Sequence, residues 1–151
     1  MLAGGSAADP EDAAMPGHHG YQKDTALILA PRQWHDLRFD RRDDGGTGVR
    51  ALAGTDDSDG LLYDLALGVT LAGITPGTEV QLRAVEFASD GTVFRERPVG
   101  SAVHAVGRGR FTYAWKDALE AGRWVGVRVA QFGRADAHLT AAEASVLVWP
   151  R

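Results

Sequence analysis

Leu65, Leu67, Val69 and Leu71 alternate with Ala66, Gly68 and Thr70. A period of two puts every large apolar side chain on one face of an extended chain and leaves the other face small or polar. A helix would scatter the same residues around its axis. The stretch therefore reads as a strand with one buried face. It opens a longer run, residues 61–99, which reads as strand, turn, strand, tight turn, strand. Pro76-Gly77 supplies the first turn, because proline presets φ and glycine accepts a positive φ. Ser89-Asp90-Gly91-Thr92 is a hairpin signal and supplies the second. The expectation is a β-meander in mid-chain on which the rest of the chain packs. Two defects in its pattern carry information. The apolar phase slips by one residue at Ala84-Val85, which implies a bulge or burial of both faces. Residues 92–97 are charged on both sides and end at Pro98, which suits an edge strand.

The same reading extends outward. Residues 25–30 form a strand closed by Pro31. In residues 34–39 two faces compete, Trp34, Asp36 and Arg38 against His35, Leu37 and Phe39, so a bulge or a rim-packed Trp is expected. Asp40 to Gly46 is a charged turn, and Val49 to Ala53 a short strand. Residues 102–106 and 111–115 pair around Gly107-Arg108-Gly109. A short turn, one helical turn at most, covers residues 117–122. Val125, Val127 and Val129 mark a strong inward face in residues 123–132. Residues 137–149 are the last strand, interrupted near Ala141-Ala142-Glu143-Ala144 and internal to a sheet. About eight to ten strands at a spacing of roughly 8–12 residues, with no long helix, describe an all-β antiparallel sandwich. Residues 1–24 lack periodicity and read as an extended N-terminal arm, leaving residues 25–151 as the sandwich domain.

Composition removes several classes. The chain has no cysteine, which excludes disulfides, zinc-thiolate sites and cysteine nucleophiles. No apolar run approaches the roughly 18 residues of a membrane helix, and the first residues lack the basic and apolar regions of a signal peptide. The net charge is −4 at a length of 151 residues. The arginines are scattered through an acidic total, so nucleic acid is not an expected partner. No cofactor fingerprint or P-loop is present.

Few residues invite chemistry. The acidic loop with Asp56, Asp57 and Asp59 is a candidate for a hard cation. It fails the EF-hand pattern, because Gly60 at the sixth position puts Ala66 where a bidentate glutamate belongs. A solvated turn is the simpler reading. His18-His19 has no third ligand at a fixed spacing. No serine sits in a G-x-S-x-G elbow. Trp34, Tyr113, Trp115 and Trp124 are candidate glycan contacts, though aromatics alternating along one strand, as Phe111, Tyr113 and Trp115 do, more often fill a core. Glu86 shares a strand face with Val80 and Leu82, so it is the one carboxylate whose burial matters, and the sequence offers no partner for it.

Further features form a resemblance. They are Ala30-Pro31-Arg32-Gln33-Trp34-His35-Asp36-Leu37-Arg38-Phe39-Asp40, Ile74-Thr75-Pro76-Gly77-Thr78-Glu79-Val80-Gln81-Leu82-Arg83, Asp90-Gly91-Thr92, Ala121-Gly122-Arg123-Trp124-Val125-Gly126-Val127-Arg128-Val129 and Val146-Leu147-Val148-Trp149-Pro150. Together they resemble jelly-roll modules on virions of tailed phages of high-GC Gram-positive bacteria. In outline the chain is also similar to the C1q/tumour-necrosis-factor jelly roll. The resemblance implies a non-enzymatic virion surface protein: capsid decoration, head fibre or tail-associated module. It implies partners among other virion proteins and copies of itself, with a trimer favoured. It carries no individual functional residue. The alternative from another class is a carbohydrate-binding module for a cell-surface or polysaccharide glycan. A small β-sandwich hydrolase is the third.

Overall fold

A computed structural model describes residues 17–55, 59–103 and 106–151. They form thirteen strands and no helix. The strands are β1 (Gly17–Lys23), β2 (Leu27–Leu29), β3 (His35–Asp36), β4 (Phe39–Arg42), β5 (Thr47–Val49), β6 (Ala53–Gly54), β7 (Leu61–Ala72), β8 (Glu79–Phe87), β9 (Val93–Glu96), β10 (Gly100–Val103), β11 (Arg108–Leu119), β12 (Trp124–Gln131) and β13 (Ala137–Pro150). A seven-stranded sheet runs β11–β7–β13–β1–β4–β5, with β2 also on β13. A six-stranded sheet runs β9–β8–β12–β3, with β10 also on β8 and β6 on β12. Every pairing is antiparallel.

The alternation of β7 delivers the core as expected. Leu65, Val69 and Leu71 are fully buried and Leu67 nearly so. From the facing sheet come Val80, Leu82 and Ala84 of β8 and Val125, Val127 and Val129 of β12. Leu29, Leu37, Phe39, Leu119, Leu139 and Val146 are fully buried with them.

The meander, however, is not one sheet. β7 pairs with β11 and β13, whereas β8 pairs with β9, β10 and β12. The turn at Pro76-Gly77, closed by Thr78 N to Thr75 O at 3.0 Å, carries the chain from one sheet to the other. Residues 102–106 and 111–115 likewise form no hairpin, because β10 joins β8 and β11 joins β7. Two sheets that face one core give the same inward pattern, so a strand's hydrophobic phase does not name its neighbour. Only the β8–β9 hairpin stands as read: Asp90 Oδ1 accepts from Thr92 N and Oγ1 at 2.9 and 2.7 Å.

Crossovers also explain the competing faces of residues 34–39. β3 lies in the six-stranded sheet and β4 in the seven-stranded one, and Leu37 and Phe39 are buried as the chain passes between them. The expected strand at Val49 to Ala53 is a second passage, from β5 to β6. The phase slip at Ala84-Val85 is burial of both faces, since the register of β8 on β12 runs unbroken from Phe87 to Val80. The bulge lies on β9, between Val93 and Arg95. β13 continues through Ala141-Ala142-Glu143-Ala144 and shifts register once, between Leu139 and Ala141. It is internal, with β7 on one side and β1 and β2 on the other.

The arm boundary moves. Gly17–Lys23, assigned to the arm by its lack of pattern, is a strand between β13 and β4. Only Tyr21 and Lys23 turn inward, too few to produce a visible periodicity. Residues 1–16 lie outside the described residues. Gly60 marks the close approach of two backbones: its φ is +73° and an added Cβ would meet Leu119 O at 2.2 Å.

Candidate functional site

The phase of β8 sends Glu86 into the sandwich beside Val125 of β12, and its carboxylate is fully buried. A buried carboxylate is stable only when both oxygens find partners. Tyr63, on β7 of the facing sheet, donates its hydroxyl to Oε2 at 2.9 Å. Arg95, on β9, donates Nη2 and Nε to Oε1 at 2.8 and 3.1 Å. Arg97 follows just after β9, its Nε 4.0 Å from Oε2. Its Nη2 lies 2.6 Å from Asp117 Oδ2 on β11. Asp117 also accepts from Trp115 Nε1 at 3.3 Å and Ala118 N at 2.8 Å. The Arg97 guanidinium lies 4.9 Å from the Trp115 ring centre. Two carboxylates and two guanidinium groups balance, and they tie the edge strand β9 to both sheets.

Burial, with the Glu86 carboxylate beside it, drives the Tyr63 hydroxyl far above the ordinary tyrosine range. Burial works against the Arg95 charge, but its hydrogen bonds and attraction to Glu86 outweigh that and raise its pKa. Tyr21 and Tyr113 are also raised, chiefly by burial; they donate to Leu52 O at 2.6 Å and Pro98 O at 2.8 Å. The unfolded chain gives up tyrosine protons near pH ~10 while the native chain holds them, so stability falls as pH rises above about 10. Tyr63→Phe removes one of these protons. Urea midpoints measured from neutral to alkaline pH are expected to fall less steeply for the variant than for the parent.

The outer face of the six-stranded sheet carries a second arrangement. Phe87 stacks on Trp124 at 4.1 Å and 16°. Arg50 lies 4.7 Å and Arg128 5.4 Å from the Phe87 ring centre. Asp36 accepts from Arg128 Nε at 2.6 Å and stands 3.6 Å from Arg50. This layer covers Phe87, and Val85 beside it on the same outer face is also fully buried, so both faces of β8 are buried here.

The four candidate aromatics do not share a platform. Tyr113 is 7% exposed and Trp115 packs half-buried against the core. Trp34 and Trp124 lie with the other sheet, Trp34 at 5.5 Å from Arg83 and Trp124 with Nε1 on Ala88 O at 3.1 Å. Asp56 and Asp57 lie outside the described residues, and so does His104; Asp59 is exposed in a turn. His18 bonds Ser145 Oγ at 2.9 Å. Among the described residues no three His, Asp or Glu side chains gather to hold a metal ion. Tyr63, Arg95, Arg97 and Asp117 are what the sequence reading missed. The one signal was Glu86 itself, whose inward phase required cationic partners that only the fold could supply.

No family model and no curated protein matches the chain. Solved structures do. A chain of infectious bursal disease virus, Gt strain, is similar over 99% of this chain and 36% of its own, with a TM-score of 0.58 and 10% identity. The globular domain of zebrafish complement 1qA is similar over 88% of this chain and 95% of its own, at TM-score 0.52 and 10% identity. Eiger TNF from S. frugiperda is similar over 88% and 92%, at TM-score 0.54 and 10% identity. The chain thus spans about a third (36%) of the bursal virus chain it matches. At this identity the likeness shows the fold, an all-β jelly roll.

Proposed function

We propose that the chain is a non-enzymatic structural subunit of a viral particle that assembles with copies of itself and with other particle proteins. One observation carries the reading: 99% of the chain superposes on a protein of infectious bursal disease virus, and chains from T=1 particles derived from that virus are similar too. The interior of the sandwich agrees with a structural role. Both oxygens of Glu86 and both of Asp117 are engaged by groups of the same chain, so neither carboxylate stands free as an acid or base.

The finer reading is a surface module, decoration or tail-associated, of a tailed phage of high-GC Gram-positive bacteria, located in the virion and favouring a trimer. Its support is the resemblance in residues together with the likeness to the C1q and TNF domains, which the chain matches over nearly their whole length. Glycan recognition is the alternative, and it draws on Trp34 and Trp124. Protein mass spectrometry of particles purified from a host that carries the gene tests the first reading. The chain is expected in the particles at a fixed ratio to their main shell protein. Its absence from washed, gradient-purified particles overturns the reading.

A further inference from the structure

We infer that the β10 edge of the six-stranded sheet pairs with the same edge of a second copy of this chain. β8 has β12 along one side. Its other side is shared by β9, opposite Phe87 to Val85, and β10, opposite Leu82 to Glu79. Among the described residues nothing pairs with the outer side of β10. An open strand edge offers unpaired backbone groups to another strand, and monomeric proteins blunt such edges with charge or proline.

The two halves of this edge differ. The β9 half is blunted by Arg95, Glu96, Arg97 and Pro98. From Pro98 to Gly107 the sequence has no Asp, Glu, Lys or Arg. Ser101, Ala102 and Val103 are exposed. Val103, at 62%, is the most exposed large apolar residue among those described, and Val99 is 40% exposed.

The strand is also held ready. Tyr113 donates to Pro98 O at 2.8 Å. Arg83 donates two hydrogen bonds to Arg97 O at 2.6 and 2.9 Å. The Ser101 hydroxyl bonds Glu79. Little freedom remains to be lost on pairing, which favours association.

The occupant follows from the residues. Gly100 faces the Tyr113 ring inside the sandwich, so Val99, Ser101 and Val103 alternate onto the outer face. In an antiparallel pair with a two-fold axis at Ser101, Val103 of each copy lies beside Val99 of the other. That gives two apolar cross-strand contacts and no like charges opposed. The axis makes the contact isologous, so it closes at two copies instead of growing a fibre. A charged or bulky partner segment would forgo that match. The contact goes beyond the proposed role in a particle and does not depend on it.

Sedimentation equilibrium of the full chain over a concentration series tests the pairing, with thermal melts confirming that each variant folds. The parent is expected to show reversible two-fold association, a dimer from monomers, or a hexamer where the proposed trimer forms. Val103→Lys puts an unpaired charge against Val99 and is expected to weaken association by about tenfold or more. The double variant V99E/V103K sets Glu beside Lys at both cross-strand positions and is expected to regain most of the loss. A parent that stays monomeric or trimeric with no two-fold association, an association indifferent to V103K, or a double variant that fails to recover each overturns the inference. Particle mass spectrometry reads the proposed function separately, so either can fail alone.

Discussion

Replacing Glu86 with alanine is expected to lower the free energy of unfolding by about 3–5 kcal/mol, the range for removing one partner of a buried ion pair. Three groups lose a partner at once. The Tyr63 hydroxyl is left buried without its acceptor, Arg95 loses two hydrogen bonds, and Arg97 keeps Asp117 and the Trp115 ring. Arg95 has a side chain 38% exposed and can turn to water; Arg97, at 18%, has less room to do so. That escape moves the expectation toward the lower end of the range. Glu86→Gln keeps an acceptor for Tyr63 and is expected to cost less than the alanine variant. Tyr63→Phe removes a single hydrogen bond and is expected to cost about 1–2 kcal/mol. Chemical denaturation at neutral pH ranks the three. If Glu86→Ala costs no more than Tyr63→Phe, the carboxylate does not hold the edge strand.

Phe87→Ala is expected to cost about 3–5 kcal/mol, the usual range for a buried aromatic truncated to a methyl group. Phe87 is 1% exposed although it points away from the core between the sheets. Its burial comes from Trp124 and from Arg50 and Arg128, which Asp36 holds in place. The substitution leaves a hole beneath that layer and removes the ring on which Trp124 rests. A smaller melting shift for Phe87→Leu and a changed tryptophan emission in both variants are expected. A loss below about 1 kcal/mol for Phe87→Ala, as at an ordinary surface position, is the result that contradicts a packed outer layer.

Both effects sit on β8, the strand whose pattern was the least regular. The alternation of Val80, Leu82 and Ala84 is plain in the sequence, and so is the inward phase of Glu86. The slip at Ala84-Val85 was legible as an anomaly with two explanations. The structure selects burial of both faces, because Arg50, distant in sequence and held by Asp36, arrives over Phe87. The charges of residues 95–97 were legible as protection of an edge. Their second role, neutralising Glu86 and Asp117, needed β9, β8 and β11 to be brought together. The aromatics of β11 were legible as core or platform, and the fold turns Tyr113 inward and leaves Trp115 half-buried beneath Arg97.

The sequence by itself determined that this chain is an all-β sandwich, which side chains enter its core, and where the hairpin at Asp90-Gly91 turns. These are local properties: a two-residue period and turn chemistry act over a few residues and need no partner. Only the tertiary structure decided which strand lies beside which. It split the run at residues 61–99 between two sheets, drew Gly17–Lys23 into the seven-stranded one, and gave Glu86 its arginines. The physical reason is that two sheets packed on one core demand the same alternation from every strand. Sheet membership is set by backbone pairing and by the fit of distant side chains, neither of which leaves a mark on the pattern of a single strand.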